Sequence, residues 1–342
     1  MSVKTIGMAI AYRAVCGAFV AAAFSSAAGG AGQSQATGAR FVEHSGYTGC
    51  ILLENESTRV VLCPACGGRV LEYSLNGKNS LYVDPKQDGW LYDGGKQAID
   101  PDGGRFDIGP EMTIPAHPKL WLGKWTGEIA GPRSANLTSQ KDEATGTRLV
   151  REFVLDEASS KLTCTQIIKN VSKETRLWCH WSRTLAQGGG ICIIPLTANS
   201  RFPNKYVMYE NGPVINYRPV DPNIRVRDEF LEILATPRYP KLGIDSYAGW
   251  LCYLTKNDLM LVKRFPSYPD RVYNEVAAIT ISIWYYKDVM CELEPIGPME
   301  RIEPGKSVSF TEHWWLLPYA FPADRSKVDS GAITKLVSDK TR

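Results

Sequence analysis

Short runs of β-branched and aromatic residues recur along the whole chain, each closed by a cluster of Asn, Gly or Pro, and this punctuation constrains the fold more than any other feature. The opening runs are Gly49 to Glu54, Thr58 to Cys63, Gly68 to Leu75 and Asn79 to Val83, with Asn76-Gly77 as the strongest hairpin signal. Further strands are expected at Lys124 to Ala130, Thr147 to Leu155, Lys161 to Lys169, Thr175 to Thr184, Ile191 to Pro195, Trp250 to Thr255, Leu259 to Phe265 and Ala278 to Tyr286. Leu149, Phe153 and Leu155 share one face, broken by Arg151, and Leu162, Cys164, Gln166 and Ile168 share another, the partial alternation of half-buried strands. Helical periodicity is confined to a turn at Asp228 to Ala235 and to the polar tail 323–342, where Val328, Ile333, Leu336 and Val337 allow one amphipathic helix. The expectation is an all-β chain, a large antiparallel β-sandwich over residues 37–322 with few short helices.

Residues 1–36 have the pattern of an export signal followed by a linker. Lys4 and Arg13 precede an apolar core, Ala14 to Phe24, and small residues follow it. The core is too short to span a bilayer comfortably, and no later run is long enough to do so, so the chain is expected to be exported, periplasmic or extracellular, without a membrane span. Formal net charge is +3, two of those cations lie in the export segment, and no long basic run occurs, which argues against nucleic acid as a partner.

Outside the export segment there are eight cysteines, Cys50, Cys63, Cys66, Cys164, Cys179, Cys192, Cys252 and Cys291. Their spacing is irregular and several fall within strands, where a cysteine behaves as a small buried hydrophobe. Cys63-Pro-Ala-Cys66 has the spacing of a redox pair, but Gly67-Gly68 and a strand follow it instead of a helix, which favours a turn disulfide or two buried thiols. No zinc-type Cys or His set, phosphate-binding glycine loop or nucleophile elbow is present, and neither a metal nor another cofactor is expected.

Chemistry is therefore sought among carboxylates, histidines and aromatics. Glu292 and Glu294 stand two apart on an expected strand and share a face, as a general base or as solvated groups on a wet sheet surface. Of the four histidines, His180 lies on a strand with Trp178 and Ser182 on its own face, while Cys179, Trp181 and Arg183 face the other way. His117 sits between prolines in the segment 84–123, which is rich in Gly, Pro, Asp and Trp and reads as one long ordered loop. Its Trp90, Tyr92 and Trp121 suit either the apolar face of a sugar or the plug of a sandwich end.

Several stretches, in order, resemble the galactose mutarotase-like superfamily, which includes aldose 1-epimerases and hexose-6-phosphate mutarotases. They are VVLCPACGGRVLEYSLNGKN, DGGRFDIGPE, KNVSKETRLWCHWSRT and ELEPIGPMERIEPGKSVSFTEHWWL, and they cover most of residues 50 to 317. The resemblance implies a sugar or oligosaccharide ligand, His180 as general acid, Glu294 as general base and Arg105 in the substrate loop. Asp102 takes the place of a second histidine that the family has beside Gly-Gly. Arg105, Trp121, Asp102, Glu111 and His117 are the expected binding residues. The implied activity is anomer interconversion by acid/base ring opening. The alternatives are a non-catalytic carbohydrate-binding or cell-envelope protein on the same fold, and a polysaccharide-cleaving enzyme using Glu111 or Glu294.

Overall fold

A computed structural model describes residues 37–95, 98–211 and 214–341; the expected export signal lies outside the described residues. Two antiparallel sheets account for most of them. From edge to edge, the larger sheet runs through strands Gly38–His44, Tyr47–Glu54, Thr58–Cys63, Arg69–Leu75, Gly104–Gly109, Arg176–Gln187, Met290–Pro295, Ile281–Tyr286, Lys241–Ile244, Val207–Asn211 and Val214–Asn216, with Lys78–Asn79 and Glu300–Ile302 attached off this path. The smaller runs through Ile224–Arg227, Phe230–Ile233, Ile191–Pro195, Trp250–Thr255, Leu259–Arg264, Ser307–Pro318, Leu162–Asn170, Thr147–Leu155, Ser134–Thr138 and Thr126–Gly131. The expected all-β sandwich is what forms.

Its turns follow local chemistry. Asn76 and Gly77 both take positive φ between Leu75 and its partner Lys78, the backbone of a two-residue hairpin whose twist matches the flanking strands. The helical turn expected at Asp228 to Ala235 is instead a second hairpin, with Arg227 opposite Phe230 and both Asp228 and Glu229 at positive φ. The mixed apolar and charged run there has too few residues to set a period.

A second correction concerns the segment 84–123. Within it, Gly104–Gly109 is a central strand of the larger sheet, and Pro118–Trp121 forms one helical turn. Gly, Arg and Asp disguise the strand in sequence, yet both charged side chains are paired when buried, Arg105 with Asp100 and Asp107 with His117. Entry to it requires glycine at position 103: φ is +73°, and a Cβ there would stand 2.3 Å from the Val70 carbonyl oxygen.

The core between the sheets is built from Val60, Tyr73, Phe106, Trp125, Phe153, Leu261, Ile283, Leu293, Phe310 and Trp314, among others. It also holds a polar group, Lys263 with Glu312 and Gln166, all fully buried. A helix, Ser330–Lys340, is capped by Asp329, whose side chain accepts from the Ala332 N–H, and it packs Ile333 and Val337 on the outer side of the smaller sheet against Ile193, Met260, Val262 and Trp315. All eight cysteines are buried free thiols, so Cys63 and Cys66 do not form a turn disulfide. No helix among the described residues is long and apolar enough to cross a membrane.

Candidate active site

Alternation along the central strands decides which side chains reach the outer face of the larger sheet. On Arg176–Gln187, Ser182 and Thr184 point into the core, where both accept hydrogen bonds from Lys263 of the opposite sheet. Trp181 and Arg183 therefore point outward. On Met290–Pro295, Leu293 is a core residue, so Glu292 and Glu294 also point outward. Register sets these rows side by side: Arg105 is opposite Arg183, Asp107 opposite Trp181, Ser282 opposite Glu294, and Trp284 opposite both Glu292 and Lys241.

The result is a hollow of about 190 Å³ lined by Asp100, Glu111, Arg183, Lys241, Trp284, Glu292 and Glu294. Arg183 is its hub. Its Nε donates to Glu292 Oε1 (2.9 Å) and Glu294 Oε1 (3.1 Å), its second terminal nitrogen donates to Glu292 Oε2 (3.2 Å), and its guanidinium lies 5.4 Å from the Trp181 ring centre. Trp181 Nε1 donates to the same Glu294 Oε1 at 2.9 Å, so one oxygen of that carboxyl is pinned from two sides. Lys241 lies over the rings of Trp181 and Tyr209 and pairs with Glu111, whose backbone N–H donates to the buried Glu275 carboxylate. Arg105 backs the wall, with Asp100 at 2.7 Å, Glu292 at 3.6 Å and the Trp121 ring centre at 5.6 Å.

Electrostatics single out Glu294. It is 1% exposed, and burial, followed by the charge of Glu292, pushes its carboxyl up to about 7 against the opposing pull of Arg183 and Lys241. A carboxyl that changes charge near neutrality, with one oxygen fixed, is suited to passing a proton.

The expected acid is elsewhere. His180 points into the core, 1% exposed, stacked between Phe106 (5.8 Å) and Phe310 (5.7 Å). Its ring nitrogens make no good hydrogen bond, only facing the backbone at Val308 and Gln166, and burial drives its pKa down to about 3. It is a neutral packing residue, and the arrangement of His180 and Glu294 across one hollow does not exist.

The other expected residues divide. Glu111 lines the hollow and Arg105 with Trp121 flanks it. Asp102 does not belong: it is buried against Arg69 and also accepts from the Asp84 N–H. His117 is held away from the hollow by two acceptors, with Nε2 2.8 Å from Asp107 Oδ1 and Nδ1 2.7 Å from the Pro115 carbonyl. Both contacts are satisfied only by a ring that donates from each nitrogen, an imidazolium. Burial opposes that charge, but the Asp107 carboxylate and the Pro115 carbonyl outweigh it and raise the His117 pKa. Asp107 in turn lies 3.9 Å from Arg183, tying this loop to the hub.

Arg183, Lys241, Trp181, Asp107 and Trp284 were not singled out from the sequence. The available signal was the opposite face of the strand bearing His180, where a cation follows an aromatic at a spacing of two. Among the described residues no group of three or more His, Cys, Asp or Glu side chains is arranged to hold a metal. A larger groove of about 410 Å³ lies around Tyr206, Pro219, Val220 and Ile224, but it gathers no carboxylate pair.

No protein-family model and no curated protein sequence matches the chain. Solved structures do. The Slr1438 protein of Synechocystis sp. PCC 6803 is 16% identical, with a TM-score of 0.53 over 82% of this chain and 96% of that one. A galactose mutarotase-like protein of Lactobacillus casei ATCC 334 is 10% identical, with a TM-score of 0.53 over 79% and 100% of the two chains. A candidate aldose 1-epimerase of Escherichia coli K12 is 13% identical, with a TM-score of 0.50 over 78% and 98%. The two-sheet architecture of this chain is the galactose mutarotase-like fold.

Proposed function

We propose that this protein binds a single sugar ring in the hollow on its larger sheet and interconverts its anomers, with Glu294 moving the proton. The reading rests on one observation above the rest: a buried carboxyl poised near pH 7, one oxygen pinned by Trp181 and Arg183, in a hollow with Lys241 and Trp284. The volume, about 190 Å³, is below the roughly 300–1,000 Å³ of pockets for drug-sized ligands and suits one ring. Trp284 offers an apolar surface for a sugar face, and the flanking charges offer partners for hydroxyls.

In this reading the Glu294 carboxylate accepts the proton of the anomeric hydroxyl as the bond between the anomeric carbon and the ring oxygen breaks. The ring oxygen takes a proton, leaving an open-chain aldehyde that turns and recloses. Arg183 cannot supply that proton, because a guanidinium stays charged; Lys241 is the hollow's N–H donor able to give one up. We further propose that the protein acts after export, on the strength of the cations and apolar core at residues 4–24.

Magnetisation exchange between the anomers of D-galactose and D-glucose, measured by NMR with wild type and Glu294→Gln, tests the proposal. Equal exchange rates for the two proteins would remove the catalytic role. A second reading is favoured by the placement of His180 in the core: carbohydrate binding without turnover. It predicts saturable binding of the same sugars, weakened by Trp284→Ala, with exchange no faster than in buffer.

A further inference from the structure

The back of the site is as organised as its front. Lys263, on the Leu259–Arg264 strand of the smaller sheet, is fully buried and reaches across the core to the larger sheet. Its Nζ donates to Ser182 Oγ (2.9 Å), Thr184 Oγ1 (2.9 Å) and the Leu293 carbonyl (3.2 Å), and pairs with Glu312 at 3.0 Å. The Trp314 ring centre lies 4.8 Å from the ammonium. Glu312 is fixed in turn by Trp314 Nε1 at 2.8 Å and Gln166 Nε2 at 2.6 Å.

Ser182 and Thr184 are the neighbours of Arg183 in the chain, and Leu293 stands between Glu292 and Glu294. One ammonium therefore grips, from the core side, the two short backbone segments that present the three charged groups at the centre of the hollow. A buried ion pair is a poor device for stability, since apolar residues of similar volume often serve as well or better. Its contacts here converge on the strands that carry the site.

We propose that Lys263 is a positioning residue for the hollow, holding the Arg176–Gln187 and Met290–Pro295 strands in the register that lets Arg183 bridge Glu292 and Glu294. The proposal deepens the reading of Glu294 as the proton-transfer group, and its test does not depend on turnover. Removing the ammonium alone would strand the Glu312 charge in the core, so the variant to make is the double Lys263→Met, Glu312→Leu, which removes both charges together.

The readout is the titration of the Glu294 side-chain carboxyl by ¹³C NMR, assigned by the signal lost in Glu294→Gln. Besides burial, the groups facing it are Glu292, Arg183, Lys241 and the Ser282 hydroxyl, and Asp107 lies 3.9 Å from Arg183. In a folded double variant the midpoint is expected to fall by about one pH unit or more, as slack between the strands lets water reach the carboxyl. Anomer exchange, where wild type shows it, is expected to fall with it. A midpoint unchanged from wild type overturns the proposal, whether or not wild type exchanges anomers. Should the double variant fail to fold, Ser182→Ala with Thr184→Val leaves the Lys263–Glu312 pair intact and cuts only its tether to the strand bearing Arg183. The same downward shift supports the clamp, and an unmoved midpoint refutes it.

Discussion

Arg183 and Glu294 stand on adjacent antiparallel strands with Nε 3.1 Å from Oε1, yet the carboxyl is pushed up to about 7, the reverse of what an ion pair does alone. Burial and the second carboxylate, Glu292, outweigh the guanidinium, which is shared between the two. That imbalance is the source of the chemistry proposed for the site.

Replacing Glu294 by Gln keeps the shape of the side chain and removes the group that titrates. Anomer exchange is expected to fall by about 10²- to 10⁴-fold, the usual contribution of a positioned acid/base group. In wild type the rate should rise with pH through about 7 as Glu294 ionises. A rate that is flat between pH 5.5 and 8.5 would contradict the assignment.

The same shift has a consequence for stability. A folded-state pKa raised above the ordinary 4.5 means the native state holds its proton longer than the unfolded chain does, so stability declines as pH rises from about 4.5 to about 7. A shift of that size corresponds to on the order of 3 kcal/mol. Glu294→Gln should therefore be the more stable protein at pH 8, with the gap closing toward pH 5, as read by urea denaturation at both values.

His180→Phe is expected to leave anomer exchange and sugar binding unchanged, because the ring is packed between Phe106 and Phe310 away from the hollow. Burial holds the native ring neutral down to about pH 3, whereas an unfolded histidine charges near 6.5. Wild type should thus lose stability as pH falls from about 6.5 toward 3, and the Phe variant should be spared that part of the loss. Thermal melts at pH 7 and pH 4.5 make the comparison. A large loss of exchange in a folded His180→Phe protein would restore the histidine to the mechanism.

His117→Ala is expected to loosen the segment that carries Glu111 and Trp121, at a cost of about 1.5–3 kcal/mol for a hydrogen bond between charged groups. The pair has two pH limits. The raised His117 pKa means its contribution is complete below 6.5 and is lost as pH climbs through the raised value, while the lowered Asp107 pKa means that its share is present above 3.8 and vanishes as pH drops through the lowered one. Hydrogen exchange in the segment 110–121 should quicken in the variant at pH 6, and an unchanged pattern would show that the pair does not hold it.

The fold was legible because its signals are local. Alternation in Leu162–Asn170 and the Asn76-Gly77 turn each follow from a few adjacent residues. The shared face of Glu292 and Glu294 was equally plain, since a period of two needs no partner. His180 misled because its face continues through Ser182 and Thr184, which reads as polar and outward; in the folded chain those hydroxyls are satisfied in the core by Lys263, about 80 residues further along. Arg183, Asp107 and Lys241 could not be assembled from the sequence, because each stands singly on a different strand and only strand pairing brings them together.

The helix Ser330–Lys340 lies on the side of the sandwich opposite the hollow. A chain cut after Pro322 would bare Trp315, Met260, Val262 and Ile193, a greasy plain that drives molecules to clump. Its own tail thus roofs the outer side of the smaller sheet, while Arg183 and Glu294 lie on the outer side of the larger one.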